Sequence, residues 1–581
     1  MKMFLLLLLA FSLPAAWALI QVRTPFESQR PAYANEAYRQ RVAIGCGPTA
    51  AGIDFTDSAN LIPLLPGWGD YRMPVTAPND SARIYFEQGI NMYYGFHIIE
   101  ALASFEKSVR FDSNFAMGHW GKALAYGPNI NDFGYSASPD ALTAMRRAKA
   151  LDASCTPVEQ ALIDAMQVRY SPDTTQAREH LNQLYADAMK DVQRRFPASA
   201  DAAALYADAL MVQHPWDLYT HTYEPKPWTP EIVQTLERLL RQSPDHPGAA
   251  HYYVHAVEAS AEPKRAFIQA LRLPHLMPGV AHVVHMPSHI YIRSGYYRKG
   301  VVVNEKAVKS YYAYAAAFPL VANNAPLYLV HNLHMQATCA NMAGRYGAAR
   351  TASLDCRRSF DSSWQGLPGY MGIYAQYLYL TPYLTLIRFG KWDSLLHTPA
   401  PPAAHVYAGL LWHYGRGLAF ARKHDFAKAG AELAAVREAL AAEQMRAPAP
   451  SFSNAGEVGG TVALKILQGV LAEEQNDYPE AIAFLEEAVD REDRMQYNEP
   501  KDWVHPARHY LGAVLLQAGR WTDAERVYRE DLAINPANGW SLTGLATALN
   551  RQGKTKAAAR ARRQAKEAFA GADAPIYTSA L

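Results

Sequence analysis

From Ser81 onward, apolar and polar residues follow the spacing of amphipathic helices, and the pattern repeats. The clearest unit is HPARHYLGAVLLQAGRWTDAERVYREDLAINP, residues 505–536, with Gly512, Gly519, Ala524 and Pro536 at fixed offsets. The next unit starts 34 residues later at Gly539, with Leu545, Gly553 and Ala558 in phase. Earlier units start near Val462 (with Gly469, Ala481 and Ala488), near Leu410 (with Gly417 and Ala429) and at Ala82 (with Gly89, Ala101 and Phe105). A 34-residue helix-turn-helix period is that of a tetratricopeptide repeat. The pattern therefore predicts an all-α fold, a superhelix (α-solenoid) of helical hairpins. Small residues recur because paired helices cross closely there, and larger side chains would force them apart.

Residues 19–80 break this pattern. They are rich in Pro and Gly and lack a helical period, so an irregular N-terminal arm lying over the repeats is expected. Connectors rich in Pro and Ala at 397–404 and 446–455 interrupt the array. They divide it into residues 81–400 and 401–581, the second ending in a polar capping helix at 555–569. Residues 1–18 read as a secretory signal: Lys2, an apolar run from Phe4 to Leu13, and Ala16-Trp17-Ala18 as a cleavage site. The run is too short to span a bilayer, and no later segment is long and apolar enough. The expectation is an exported chain, periplasmic or secreted.

Composition narrows the classes further. Half of the 581 residues are apolar, which fits a folded chain with a large core. The net charge of +2 and the absence of a basic run with interleaved aromatics argue against nucleic acid. The four cysteines, Cys46, Cys155, Cys339 and Cys356, fit no zinc-ribbon spacing. After export they can form up to two disulfides, with Cys339 and Cys356 close enough in sequence to join one hairpin, or remain buried thiols.

Histidine is where the chemistry concentrates. Nine of the 20 histidines lie between His246 and His334, where an even spread would put about three. With a repeat started at Pro247, Ala250, Tyr253, Val254 and Val257 form the packing face of a helix. His251, His255 and Glu258 then stack on a neighbouring face at i, i+4 and i+7. One period later His251 maps to His285 and His255 to His289. A third unit, starting near Val330 after a 15-residue insertion, puts His334 in phase with His251 and His285, and His331 in phase with His282. First helices of successive repeats line the concave face of such a superhelix, so these pairs are expected to share one groove. Pro287 conflicts with an unbroken second helix, because proline removes a backbone donor and clashes with the preceding turn. A helix restarting at Pro287 would leave His285 on the approach to it.

Paired imidazoles on neighbouring helices suit a transition metal. His251, His255, His285, His289, His331 and His334 are the candidate ligands, enough for two ions with three imidazoles each. An imidazole-rich set outside the cytosol points to copper before zinc or iron. Glu258 is the candidate catalytic residue, as general base on a metal-bound water; otherwise it completes a His-His-Glu set or orients a ligand. The competing readings are a groove that binds a small molecule, peptide or protein partner without metal, and a polar core that merely packs.

His97 and His119 are read as packing residues beside the groove, and the 214–221 insertion as either a lid or an inter-repeat connector. Residues 497–503, YNEPKDW, are read as a structural connector. No Ser-His-Asp elbow, phosphate loop or dinucleotide fingerprint is present.

The segments FEQGINMYYGFHIIEALASFEKSV, GHWGKALAYGPNIN, HPGAAHYYVHAVEAS, HVVHMPSHIYIRSGYY, HNLH and YNEPKDW resemble a family of exported bacterial tetratricopeptide-repeat proteins. The resemblance covers most of residues 85–545. It implies the helical-repeat fold and says little about activity, since members are mostly described only by their repeats. Where members often carry an aromatic after the final histidine of the third motif, this chain has Met335.

Overall fold

A computed structural model describes residues 42–43, 62–133, 138–317, 326–446, 454 and 456–581. The signal segment, Cys46 and most of the N-terminal arm lie outside the described residues, as does part of the 446–455 connector. Apart from a two-residue antiparallel pairing of Val42–Ala43 with Asp132–Phe133, the named elements among these residues are helices. The fold is an all-α tetratricopeptide-type solenoid of antiparallel helix pairs.

Each repeat read from the sequence is a helical hairpin. The pairs are Asp80–Tyr94 with Ile98–Phe111, Val406–Arg422 with Phe426–Ala441, Glu457–Glu474 with Tyr478–Asp493, Ala507–Gln517 with Trp521–Ile534, and Gly539–Arg551 with Thr555–Ala568. Starts are set by local chemistry. Asn79, Asp425, Asp477 and Asn538 each accept a hydrogen bond from a first-turn backbone N–H. The in-phase glycines sit where helices touch. A Cβ on Gly89 would come within 2.6 Å of the Phe105 ring, and one on Gly512 within 2.4 Å of Tyr528. Gly544 approaches that same ring from the next repeat, so Tyr528 is gripped between two glycines.

Two features of the chain come out differently. The second large core begins at Ile373, so helices before the 397–404 connector pack with the C-terminal repeats. The boundary expected near 400 is therefore not a boundary in packing; apolar burial across Tyr383, Leu384 and Ile387 overrides the proline-rich connector. Cys339 and Cys356 do not pair. Both are buried free thiols, as in the alternative reading, and Cys155 is also free.

The repeats close on themselves. Trp540 Nε1 donates to the Asn341 carbonyl at 3.1 Å, and Arg293 Nη1 to the Ile534 carbonyl at 3.5 Å. Gly295, at φ +82°, lets the chain turn directly against Pro536. The described part of the arm adds a cover: Trp68 is buried against Tyr314 and His97, and the Gly279 N–H donates to the Gly67 carbonyl. These contacts bring the connector after Asp493 onto the histidine helices.

Gly512→Ala adds a methyl group where Tyr528 cannot retreat, because Gly544 backs it. We expect a loss of about 1–3 kcal/mol despite the better helix propensity of alanine. Denaturant unfolding of the variant beside the parent checks this.

Candidate metal centre

Four helices and one connector build the centre. Helix Pro247–Glu258 opens on a His246 cap with Pro247 in its first turn, and carries His251, His255 and Glu258. The chain then breaks at Met286, as Pro287 requires, giving helices Ala281–His285 and Pro287–Ser294. The first carries His282 and His285, the second His289. Helix Pro326–Met342 carries His331 and His334. The connector from Gln496 to His505 brings Tyr497 and Glu499. All of these histidines and both glutamates are buried.

The rings converge through their Nε2 atoms. His285 Nε2 lies 2.7 Å from His289 Nε2 and 3.1 Å from His331 Nε2. His251 Nε2 lies 3.0 Å from His282 Nε2. Donor atoms of His251, His255 and His282 lie within 4.8 Å of one another, as do those of His285, His289 and His331. His255 and His289 are adjacent, with ring centroids 5.6 Å apart, so the two groups adjoin. Phe96 packs its ring over His251, His255 and His282.

The far nitrogens fix the proton positions. Asn304 Nδ2 donates to the Gly300 carbonyl at 2.8 Å, which turns its Oδ1 to His285 Nδ1 at 2.9 Å. A carboxamide oxygen only accepts, so His285 Nδ1 bears the proton; Ser288 Oγ is a further neighbour at 3.1 Å. His289 Nδ1 faces Glu258 Oε2 at 2.7 Å and Glu499 Oε2 at 3.0 Å, so it too is the protonated nitrogen. The two rings face each other through Nε2 at 2.7 Å, a hydrogen-bond distance. His251 Nδ1, 2.6 Å from the Tyr94 carbonyl, is protonated by the same argument.

Glu258 is fully engaged. Its oxygens take His255 Nδ1 at 2.8 Å, His289 Nδ1 at 2.7 Å and the Tyr497 hydroxyl at 2.7 Å. Burial opposes its ionisation, yet His289 and His255 beside it hold the carboxyl well below its usual range. Burial and the neighbouring Glu258 push Glu499 up instead. Burial, with nearby imidazoles adding to it, drives His251, His282, His285 and His331 well below the ordinary histidine value. At neutral pH these four rings are neutral rather than cationic. His255, Glu258 and Glu499 form a third close grouping that shares His255 with the first.

Five of the six candidate histidines thus come together: His251, His255, His285, His289 and His331. His334 does not join them. It turns toward Tyr377, with ring centroids 5.6 Å apart, and neither nitrogen has a hydrogen-bond partner among the described residues. Its place is taken by His282, which the 34-residue register had already aligned with His331. Glu499 and Tyr497 come from the connector read as structural, and no local pattern around them announces their role. His97 pairs with Glu100 at 3.2 Å and stays outside the groupings. The groove expected from the repeat geometry is filled: residues 496–503 and Phe96 close over the histidines.

No protein-family model matches the chain, and no curated protein matches it. Solved structures with a similar arrangement of helices include the human IFIT1 dimer with m7Gppp-AAAA, at 12% identity and TM-score 0.31, covering 92% of this chain and 98% of that one. Yeast Tom70 aligns at 10% identity and TM-score 0.27, over 82% of this chain and 90% of that one. The P58(IPK) TPR domain aligns at 11% identity and TM-score 0.19, over 82% and 99%. At these identities and TM-scores the likeness carries no argument about this chain.

Burial alone pushes His334 down to about 3, against about 6.5 in an unfolded chain. Below about pH 6.5 the unfolded state takes up a proton that the native residue refuses. The stability is therefore whole above that pH and falls with acidity, by roughly 2 kcal/mol at pH 5 from this residue. The melting temperature of His334→Leu should fall less steeply between about pH 7 and 5 than that of the parent.

Proposed function

We propose that the chain is an exported metalloprotein holding two adjacent transition-metal ions in its interior. His251, His255 and His282 would hold one ion, and His285, His289 and His331 the other. The observation that supports this most is the convergence of three buried imidazoles in each group, with donor atoms within 4.8 Å of one another. Burial keeps His285 neutral, so its Nε2 offers a lone pair beside His289 and His331. A metal ion bound there would take donor bonds from these rings. Tetrahedral sites with bonds of ~2.0–2.1 Å separate their donor atoms by roughly 3.3 Å, so the rings need to spread by only a few tenths of an ångström.

The donor chemistry favours copper over zinc or iron. Glu258 and Glu499 face Nδ1 of His289, on the far side of the ring from the Nε2 junction. There they orient rings and raise ligand basicity, as carboxylates behind metal-bound histidines do, and the ligand sets stay imidazole. Bound copper would supply one-electron chemistry, and bound zinc a Lewis acid for hydrolysis. The proposed activity is accordingly oxidative or hydrolytic. Glu258, with both oxygens occupied, fits a positioning role better than that of a general base. Export rests on the reading of residues 1–18. An adaptor acting through these same histidines loses its support, because none is exposed. A protein partner of the repeat scaffold would meet another face.

Metal analysis after reconstitution with copper, zinc and iron tests the proposal. We expect about two equivalents in the parent, by the three-ligand arithmetic of imidazole sites. His251→Ala/His282→Ala and His285→Ala/His331→Ala should each retain one. A folded parent that takes up none of the three metals would overturn the reading. Glu258→Gln should keep both ions but bind them about 10–100-fold more weakly, as titration against a competing chelator will show.

A further inference from the structure

A small chamber opens onto one side of the centre. Apolar side chains including Ile130, Met211, Trp216 and Ala259 line it together with the polar His214 and Gln496, and His255, Glu258 and Tyr497 connect it to the centre. The space open to the centre of a water molecule is about 30 Å³. One water needs roughly 10–15 Å³ on that measure, so the chamber takes about two such groups. Pockets for drug-sized ligands run to roughly 300–1,000 Å³. A cleft of about 850 Å³ does exist beside helix Pro287–Ser294, lined by Tyr291, Lys299, Leu542 and Glu567, but none of the clustered histidines lines it.

The chamber's outer wall is held in place. Trp216 presents its ring edge-on to His255, with centroids 5.4 Å apart, and its Nε1 donates to Asn131 Oδ1 at 3.2 Å. Its backbone sits at φ +60°, a conformation that costs a bulky residue free energy and persists only where surroundings impose it. Those surroundings are explicit. Trp228 Nε1 donates to the Asp217 carbonyl, His214 stacks on Trp228 at 3.8 Å, and the Tyr219 hydroxyl donates to the Ala256 carbonyl. The tryptophan is a fixed constriction over the centre. Beside the aliphatic and aromatic carbon, His214 and Gln496 add polar groups to the chamber lining.

We propose that this chamber is the substrate passage of the centre, and that it selects by size, admitting molecules of about two to four heavy atoms, dioxygen among them. The inference rests on the metal reading and narrows it. A peptide, a sugar or a large phenol has no way to the histidines past Trp216.

The probes are carbon monoxide, methyl isocyanide and tert-butyl isocyanide. All are uncharged, all bind Cu(I) through carbon, and they increase in bulk. Binding rates to the Cu(I)-loaded full-length chain, followed by their infrared stretches, should fall at least 100-fold from the first to the last. Trp216→Ala should raise the tert-butyl isocyanide rate at least tenfold at unchanged copper content. Ala259→Leu, which adds carbon inside the chamber, should slow methyl isocyanide and guards against misfolding of the tryptophan variant. Equal rates for the three probes in a copper-loaded parent, or indifference to both variants, would overturn the passage and leave the metal reading standing. A parent with no copper would overturn the passage as a route to a copper centre, and one that takes up no copper, zinc or iron would bring down the metal reading as well; measured metal content separates the two failures.

Discussion

A buried imidazole nitrogen with a bare lone pair needs a donor or a cation, because no water can reach it to satisfy it. In this chain that requirement is concentrated. Rings from three successive helical segments turn Nε2 inward, while carboxylates and backbone or amide oxygens take the protons at Nδ1. The second half of the arrangement orients the first. Were the Nδ1 partners absent, each ring could switch tautomer. Asn304, fixed by Gly300, and Glu258, fixed by Tyr497 and His255, remove that option. The Nε2 atoms are thereby held facing neighbouring rings rather than the groups behind them.

The repeat scaffold suits such a task because it places equivalent positions of neighbouring helices side by side at a constant offset. Two turns of Pro247–Glu258 and the broken pair Ala281–His285 and Pro287–Ser294 then meet ring to ring. The proline break matters here. An unbroken helix would hold His285 and His289 one turn apart on a single surface. With a new helix beginning at Pro287, His285 closes one short segment and His289 opens the next, and their Nε2 atoms approach to 2.7 Å. The closely crossing glycines serve the same end by keeping adjacent repeats near enough for side chains on separate hairpins to touch.

How much of this could be read from the sequence follows from range. The hairpins were legible because their signals are local and repeated: small residues at helix crossings, caps at helix starts, a period of 34. The histidine register was legible for the same reason and went wrong only within it. His331 and His334 occupy different offsets of that register, and which of the two faces the other histidines depends on how Pro326–Met342 rotates against Tyr377, a tertiary matter. The Pro287 break was visible in advance as a conflict with the register. Glu499 and Tyr497 were not legible at all. Tyr497 meets Glu258 across 239 positions of sequence, and nothing in YNEPKDW distinguishes a carboxylate aimed at a buried ring from one facing solvent. The groove likewise had to be inferred from an open superhelix, whereas the contacts of Trp540 and Arg293 close it.

That difference in range also bears on how the centre assembles. His251 and His282 are 31 positions apart, and His285 and His331 are 46 apart, so each imidazole group is made within neighbouring repeats. Closing loops of this length costs little chain entropy, and the cost grows only slowly with length. The carboxylate of Glu499 arrives from more than 200 residues away and needs the C-terminal repeats folded and docked. The nitrogen donors can thus gather before the group that orients two of them is in place. Until Glu499 and Tyr497 dock, His255 and His289 share Glu258 alone and the centre lies open on that side. Docking buries the rings, lowers their affinity for protons and encloses the narrow space beside Trp216. Closure of the superhelix is in this sense the step that encloses the clustered imidazoles.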